Sequence, residues 1–469
     1  MNLYEAFNKT ATTANGAVAH HSSLSACLDF FYVAGASRGK NITSDFVASL
    51  AENEDVTLRT LLWMRDAREG AGERQQFKDL VKVLVELDKP IDKLISKVPE
   101  LGRWDDLLIF EGTKYQDQAF DLIFGAIKEG NSLCAKWMPR QGKIANALRK
   151  HFGIKTPKEY RKLLVSLSDV VETKMCAKQW NDINFESVPS VAAARYQKAF
   201  ARNAQASYTE YKDKLSKGEA KVNASVVYPY DVVKACINGD AAVADAQWKA
   251  LPNYLDGVDE RILPIVDVSG SMSCKVGGYQ SKSETSCMDV AVSLGLYLSE
   301  RNEGVLKNVF MTFSESPQLL KLEGGTLKER VLAMKRSKWG MSTNIQLVFE
   351  TLLSAAVSNN VPENQMPTKL LIVSDMQFNQ CMDRGNDVSA YDLAKSMYEQ
   401  HGYKLPQIVF WNVNCQSGTV PVTKGTAGTA LVSGFSPSIM KSLLKGAMTP
   451  EKVMLDTVMI DRYSLEDWK

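Results

Sequence analysis

Three oxygen-bearing side chains follow a short apolar segment near the middle of the chain. Residues 262–266 read Ile-Leu-Pro-Ile-Val, and Asp267, Ser269 and Ser271 come next at every second position. The length and β-branched content of the segment predict a buried parallel strand. Asp267 should then emerge at the carboxyl end of a sheet, where open α/β sheets bind ligands. One carboxylate and two hydroxyls suit a hard cation such as Mg²⁺ that keeps several water ligands.

Further oxygen ligands lie later in the chain. A second apolar segment, 369–373, leads to Asp375, which adds a carboxylate at the equivalent edge of the sheet. Between the two segments a Gly-containing turn, 339–344, enters an amphipathic stretch, so Thr343 can present its hydroxyl from a loop that begins a helix. Ser342 precedes Thr343 and offers an alternative hydroxyl. The predicted cation ligands are Asp267, Ser269, Ser271, Thr343 and Asp375.

These five residues also carry a family resemblance. In their order and strand context they resemble the metal-ion-dependent adhesion site of the von Willebrand factor A family, where Asp-x-Ser-x-Ser is followed by a Thr and then an Asp. The resemblance implies Mg²⁺, or another divalent cation, held by these side chains. It also implies an open coordination position that takes a Glu or Asp from a protein partner. Each residue taken alone has a common alternative role in turns and helix caps.

The carboxy-terminal half alternates between strand-like and helix-like segments. This alternation begins after Tyr254 and predicts a parallel, doubly wound sheet. The boundary is placed near residue 255, which gives domains at 1–255 and 256–469. The predicted segments are 261–267, 287–303, 307–313, 344–358, 369–375, 390–402, 407–413 and 429–435. The stretch 436–469 is predicted as one or two helices, with Pro450 near the start of the second.

The amino-terminal half is predicted to be mostly helical. From Ser25 to about Ala250 apolar residues recur every three or four positions, and the connections are short and contain Gly or Pro. Short links between helices suggest antiparallel hairpins stacked as an α-solenoid. The predicted fold class is therefore an all-α, HEAT-like solenoid or ring followed by a doubly wound α/β domain of the von Willebrand factor A type.

Four phrases in the amino-terminal half resemble the TROVE-related family. They are LLWMRDAREGAGER (61–74), VPELGRWDDLL (98–108), AKWMPR (135–140) and ETKMCAKQW (172–180). They are most similar to the viral, bacterial and plant branch of that family and more distant from the Ro autoantigen. The resemblance implies a ring of HEAT-like helices closed by the A domain. Such a ring would bind single-stranded RNA ends in its central hole and small structured RNA on an outer basic face.

The distribution of charge agrees with an anionic partner. The net charge is +2, but residues 131–222 contain more than twice as many basic as acidic residues. Lysine and arginine side chains that contact phosphates release counterions and so add affinity. The alternative is a solvated helical face, and most of the interleaved aromatic residues are predicted to lie in the core. The candidate RNA-binding residues are Arg140, Lys143, Arg149, Lys150, Lys155, Lys158, Arg161, Lys162, Lys174 and Lys178.

Composition and cysteine usage predict a cytoplasmic protein. The eight cysteines are scattered and form no CxxC pair, which favours a reducing compartment and thiols without disulfides. Cys274 and Cys287 flank a polar loop beside the metal motif and could in principle bridge. We identify no secretory signal at the amino terminus and no apolar run of ~18 residues, so no membrane span is expected.

Motifs for catalysis are not found in the sequence, so we predict a binding protein rather than an enzyme. The four histidines suggest no triad, and the Gly70–Arg74 corner lacks the Gly-Lys-Ser/Thr end of a phosphate loop. Residues 103–106 are predicted to form a buried ion pair and a helix cap. The leading hypothesis is a non-catalytic, Ro-like RNA-binding scaffold with a protein partner or acidic ligand at the Mg²⁺ site. The rival hypothesis is a metal-dependent protein-interaction or assembly factor without RNA, and a metal-dependent hydrolase ranks third.

Overall fold

The structure is a computed structural model of the chain. The residues that it describes are 10–13, 15–224, 226–239, 241–277, 284–313, 316–335, 344–378, 390–415, 419–446 and 448–465.

The amino-terminal half of the described chain is mainly helical, as predicted. Its helices are α1 (Ala26–Ala34), α2 (Thr43–Glu52), α3 (Glu54–Arg65), α4 (Gln75–Glu86), α5 (Asp92–Leu101), α6 (Gln116–Lys128), α7 (Ser132–Trp137), α8 (Lys143–His151), α9 (Pro157–Leu167), α10 (Val171–Cys176), α11 (Ser190–Asn203), α12 (Gln205–Lys217), α13 (Pro229–Asn238) and α14 (Ala241–Ala250). A 3₁₀ helix, Trp104–Phe110, follows α5. Helix α9 illustrates the local signals: Thr156 and Glu159 form a capping box and Pro157 occupies the first turn.

A small β-hairpin near the amino terminus was not predicted. Strands β1 (Thr10–Thr12) and β2 (Val18–His20) pair antiparallel. His20 forms a further bridge to Val420 in the carboxy-terminal half. Each strand has three residues, so neither is long enough to show the alternation that identifies a strand in sequence.

The carboxy-terminal half contains a six-stranded sheet in the order β5-β4-β3-β6-β7-β8. Its strands are β3 (Ile262–Asp267), β4 (Val309–Phe313), β5 (Leu319–Lys321), β6 (Lys369–Ser374), β7 (Gln407–Asn412) and β8 (Thr429–Ser433). The predicted parallel sheet is correct for five strands, but β5 pairs antiparallel with β4, so the sheet is mixed. The short strand β5 is largely exposed and lacks the apolar run by which its neighbours were recognised.

Strand β3 lies in the middle of the sheet and is buried at every position. It contains Pro264, which lacks the amide hydrogen that a central strand needs. The pairing with β4 begins at Ile265, so at Pro264 the strand pairs only with β6, through Leu371. The proline is therefore tolerated, since at this position β3 has a paired strand on one side only.

Within the described part of this half, six helices accompany the sheet. They are α15 (Cys287–Arg301), α16 (Leu327–Lys335), α17 (Ile345–Ser358), α18 (Ala390–Gln400), α19 (Met440–Leu443) and α20 (Pro450–Val458). Helix α15 packs on β3, β4 and β6, and begins with a capping box formed by Ser286 and Asp289. Pro450 occupies the first turn of α20, as predicted. No helix in the described part of the chain combines the length and hydropathy needed to cross a membrane.

The hydrophobic core extends through both halves of the chain. One cluster of buried residues runs from Ala17 to Leu465, and a smaller cluster forms around Phe185, Phe200 and Tyr208. Polar contacts add to this packing: Arg462, near the carboxy terminus, contacts Asp66 at the end of α3 through two nitrogen–oxygen distances of 2.5 and 3.0 Å.

Candidate metal centre and basic surface

Two neighbouring parallel strands deliver the predicted carboxylates to one edge of the sheet. Val266 of β3 pairs with Val373 of β6, so the residues that follow them lie side by side. The Ser374 hydroxyl donates a hydrogen bond of 2.5 Å to Oδ2 of Asp267. Asp375 is the next residue after β6. The parallel register therefore explains why side chains about a hundred residues apart in sequence meet at this edge.

The loop after β3 folds back over the Asp267 carboxylate. The Ser269 amide donates to Oδ1 of Asp267 at 2.9 Å, and the Ser269 and Ser271 hydroxyl oxygens lie 3.1 Å apart. A 3₁₀ helix, Gly270–Ser273, holds Ser271 in this position. Asp267 and Ser269 are buried, whereas Ser271 is exposed. The site therefore has a buried floor and one hydroxyl that faces solvent.

Asp375 supplies the second carboxylate and holds a polar atom without a partner. Its Oδ1 accepts a hydrogen bond of 3.2 Å from the Gln377 amide. Its Oδ2 is buried and has no hydrogen-bond partner among the described residues. Met376 follows in the left-handed region with φ of 64°, a conformation that is uncommon for a residue other than glycine. An orphaned buried carboxylate oxygen is costly unless a cation or a proton neutralises it.

The electrostatics of the pair agree with a cation site. Burial, followed by the nearby Asp375 carboxylate, raises the pKa of Asp267 to about 7. Burial also raises the pKa of Asp375, against the opposing effects of the Gln377 backbone amide and the nearby Ser271 side chain. Two buried acids that repel each other hold a proton more strongly than usual, and a divalent ion can displace that proton because the ion supplies the missing positive charge.

The donor set fits a hard cation. Asp267, Ser269, Ser271 and Asp375 offer two carboxylates and two hydroxyls, which are the oxygen ligands that Mg²⁺ takes together with water. The predicted fifth ligand, Thr343, and its alternative Ser342 lie outside the described residues. In the described ranges, groups of three or more His, Cys, Asp or Glu side chains placed to share a metal are absent. The predicted site therefore depends on its hydroxyls as well as its two carboxylates.

The sequence placed Cys274 and Cys287 beside this edge, but it did not identify Asn414 or Thr13 as neighbours. The Asn414 side-chain amide donates to the Cys274 sulfur at 3.2 Å, and the Cys274 and Cys287 sulfur atoms lie 3.3 Å apart. The amino-terminal segment also reaches the edge, because Thr13 donates to the carbonyl of Phe378 at 2.5 Å. The contacts of Asn414 and Thr13 join residues from distant parts of the chain, and no local pattern signals them.

The basic residues predicted to bind RNA lie on and around helices α8, α9 and α10. Six of them are exposed and make no ion pair or side-chain hydrogen bond within the described part of the chain, so their charges face solvent. They are Lys150, Lys155, Lys158, Arg161, Lys162 and Lys178. The residues of this set that belong to α9 recur at the three- and four-residue spacing of one helical face. Three of the six exposed residues thus share one side of α9, and we refer to the six together as the α9 basic face.

The other four predicted residues have structural contacts. Lys143 pairs with Glu111 at 3.0 Å, and Arg140 lies 3.5 Å from the Ser168 hydroxyl. Nη1 of Arg149 donates to the carbonyls of Ile154 and Lys155, both at 2.7 Å, which closes the turn after α8. Lys174 donates to the carbonyl of Asp182 at 3.2 Å. These contacts reduce what the four side chains can offer to a phosphate, and most of all for Arg149.

Most aromatic residues between these basic residues belong to the core, as predicted. Phe152 and Tyr160 are buried. The Trp137 ring is half-buried, and the Arg103 guanidinium lies 3.3 Å from the centre of that ring. A ring that is covered in this way is not available to stack on a base.

The prediction of a buried ion pair at residues 103–106 is confirmed. Asp106 is fully buried and accepts hydrogen bonds from Arg65 at 2.6 and 2.8 Å, from Arg74 at 2.9 Å and from the Arg103 amide at 3.0 Å. Lys78 lies 3.2 Å from the same carboxylate. The Asp106 carboxylate therefore joins several helices of the amino-terminal half.

The chain matches two family models and a viral protein. Residues 261–464 match a domain of unknown function, DUF7788, and residues 140–257 match another, DUF2828. An uncharacterized protein of Acanthamoeba polyphaga mimivirus, L728, is 30% identical over 493 residues, which cover 92% of this chain and 84% of the viral protein. Among solved structures, the crystal structure of the Deinococcus radiodurans RO (RSR) protein is a distant match. It has 15% identity and a TM-score of 0.36, and the match covers 93% of this chain and 100% of that chain.

Proposed function

The chain belongs to the same family as the mimivirus protein L728, and from this premise we propose that it is a non-catalytic, Ro-like RNA-binding scaffold. In this proposal a HEAT-like helical array carries small or single-stranded RNA. A von Willebrand factor A-type domain binds a protein partner or an acidic ligand through Mg²⁺. The phrases that resemble the TROVE-related family and the order of the metal-site residues support both assignments.

The α9 basic face is the observation that carries the RNA part of the proposal. Six cationic side chains without partners in the described chain lie between Lys150 and Lys178, and three of them share one side of α9. An uncompensated cluster of this kind weakens the fold by repulsion, and a polyanion relieves that repulsion when it binds. Phosphate contacts of this type give affinity with little dependence on base sequence. RNA that binds here is therefore recognised mainly through its backbone and its shape.

The salt dependence of RNA binding tests this assignment. If all six side chains contact phosphates of a single strand, the slope of log affinity against log salt is roughly −4. The triple variant Lys158→Glu, Arg161→Glu, Lys162→Glu should reduce the slope to roughly −2 and weaken binding more than tenfold, because three contacts become repulsive. The measurement is fluorescence anisotropy with a labelled single-stranded RNA of mixed sequence and with a small hairpin RNA.

A matched control has the same change in net charge elsewhere. Lys307, Lys321 and Lys328 are exposed and lie in the carboxy-terminal half. Their replacement by Glu should leave the salt slope unchanged. Equal losses in the two triple variants, or affinity that is independent of salt, would show that the α9 basic face does not bind RNA. Sequencing of nucleic acid that co-purifies with the protein would identify the natural RNA. If no RNA co-purifies, the rival assembly function is favoured.

The orphaned Asp375 Oδ2 supports the second part of the proposal, a divalent-cation site for docking. Side chains of Asp267, Ser269, Ser271 and Asp375 would hold the ion, and Thr343 is the predicted further ligand. The bound ion would supply a positive charge at the solvent-facing edge of the sheet. A Glu or Asp of a partner could then bind there in the manner implied by the resemblance to the A-domain family.

Calorimetric titration with Mg²⁺ tests the cation site. Asp267→Asn should abolish the binding heat, and Asp375→Asn should weaken it. In EDTA neither change should lower the unfolding midpoint, because each removes a repulsion between two buried carboxylates. Asp259, an exposed acid before β3, provides the control, and Asp259→Asn should bind Mg²⁺ like the parent protein. Unchanged Mg²⁺ binding in the Asp267 variant would mean that the ion, if bound, lies elsewhere.

A further inference from the structure

Two cysteines lie in contact beside the sheet edge that carries Asp267. The sulfur atoms of Cys274 and Cys287 are 3.3 Å apart. The two residues flank a polar stretch of sequence, and twelve residues separate them. Contacts between thiols of this kind are unusual unless the backbone brings the two residues together.

The backbone holds the two cysteines opposite each other. Lys275 and Ser286 form an antiparallel bridge, the Cys287 amide donates to the Cys274 carbonyl at 3.0 Å, and the Val276 amide donates to the Thr285 carbonyl at 2.9 Å. In this register Cys274 faces Cys287 directly, and directly opposed residues at hydrogen-bonded positions have Cα atoms about 5.5 Å apart. That separation is within the range that a disulfide spans without movement of the backbone.

The two thiols differ in accessibility. Cys274 is partly exposed, whereas Cys287 is fully buried at the first turn of α15. The Asn414 amide donates a hydrogen bond to the Cys274 sulfur at 3.2 Å, and such a bond stabilises negative charge on that sulfur. An oxidant in solution can therefore reach Cys274 first, and Cys287 is placed to react with it in a second step.

We infer that Cys274 and Cys287 form a redox-active dithiol that low-molecular-weight disulfides such as oxidised glutathione convert to an intramolecular disulfide. The Cys274 thiolate attacks one sulfur of oxidised glutathione, forms a mixed disulfide and releases one glutathione thiolate. The Cys287 sulfur, after losing its proton, attacks the Cys274 sulfur and releases the second glutathione. The protein loses two electrons and two protons, and one glutathione disulfide becomes two glutathione thiols.

The disulfide would affect the loop that carries Ser271. Cys274 ends the 3₁₀ helix that holds Ser271, and its amide donates to the Ser271 carbonyl at 3.2 Å. Cys287 begins α15, which packs on β3. A bond between the two cysteines closes a covalent ring that contains residues 275–286 and joins the Ser271 loop covalently to this helix. The redox chemistry itself requires neither a metal ion nor RNA.

The test is peptide mapping of the folded, full-length protein after equilibration with glutathione buffers of increasing oxidised fraction. We expect a linked peptide pair that contains Cys274 and Cys287 and is lighter by two hydrogens than the two separate peptides, and loss of alkylation at both of these cysteines that dithiothreitol restores. The exposed Cys176 reports that the oxidant is active, because it should take up glutathione without forming an internal bridge. Glutathione on Cys176 without a Cys274–Cys287 linked peptide would overturn the inference.

Single variants separate the two steps. Cys287→Ser should trap glutathione on Cys274, because the second thiol is missing. Cys274→Ser should leave Cys287 unmodified, because Cys287 is buried. The same modification in both variants would contradict the assigned order of reaction. The wild-type map decides the existence of the disulfide by itself, even if a variant fails to fold.

Discussion

Replacement of the buried Asp106 carboxylate should be among the most destabilising single changes in the amino-terminal half. In Asp106→Asn the side chain keeps its shape and loses its charge. The Arg65 side chain, which is 3% exposed, would then retain a buried positive charge without its ion-pair partner. Loss of one member of a buried pair costs about 3–5 kcal/mol. Arg74 and Lys78 are more exposed and should add at most about 1 kcal/mol each, because solvent screens them.

The comparison with the opposite deletion makes this prediction specific. Arg65→Met removes one cation, but Asp106 keeps Arg74, Lys78 and the Arg103 amide as partners. Arg65→Met should therefore lower the free energy of unfolding by less, about 1–2 kcal/mol, because the Asp106 charge is still compensated. Urea unfolding followed by far-ultraviolet circular dichroism measures both values. Asp106 would not be the partner that neutralises Arg65 if Arg65→Met cost as much as Asp106→Asn, or if Asp106→Asn cost less than about 1 kcal/mol.

The same carboxylate predicts how stability depends on pH. Burial acts to raise the pKa of Asp106, but the Arg65 charge and hydrogen bonds from Arg74 and Arg65 outweigh it and lower the pKa below the ordinary value. A lowered pKa stabilises the fold above the unfolded-state pKa of about 4, and this contribution is lost as the pH falls through the folded-state pKa. The parent protein should therefore lose stability more steeply below pH 4 than Asp106→Asn does.

Two further changes test packing between elements. Gly295 of α15 lies against β3, and a Cβ atom there would be 2.3 Å from Cγ2 of Val266, so Gly295→Ala should destabilise the carboxy-terminal half by about 1–3 kcal/mol in thermal unfolding. Arg462→Ala should leave the buried Asp66 carboxylate with the Tyr463 hydroxyl and a backbone amide, at a cost of about 2 kcal/mol. Faster hydrogen exchange in α20 would accompany that loss. Unchanged exchange would mean that the carboxy terminus is held by apolar packing alone.

The sequence by itself determined the elements whose signals are local. The strand and helix alternation after Tyr254 is predictable because buried parallel strands are continuous apolar runs and helices have a period of 3.6 residues. The sequence also placed Asp267 and Asp375 at one edge of the sheet, because parallel strands end on the same side of a sheet. The capping residues of α9 and the proline that begins α20 follow from the orphan amides of a first helical turn.

The tertiary structure decided what depends on contacts between distant residues. The antiparallel pairing of β5, the hairpin of β1 and β2, and the contact of Cys274 with Cys287 depend on where the backbone travels between elements. Even a correct list of basic residues could not show that Arg149 turns towards backbone carbonyls while Lys158 faces solvent. Composition records how many charges a segment has, whereas burial and hydrogen bonding, which are properties of the folded chain, decide which of those charges can bind a ligand.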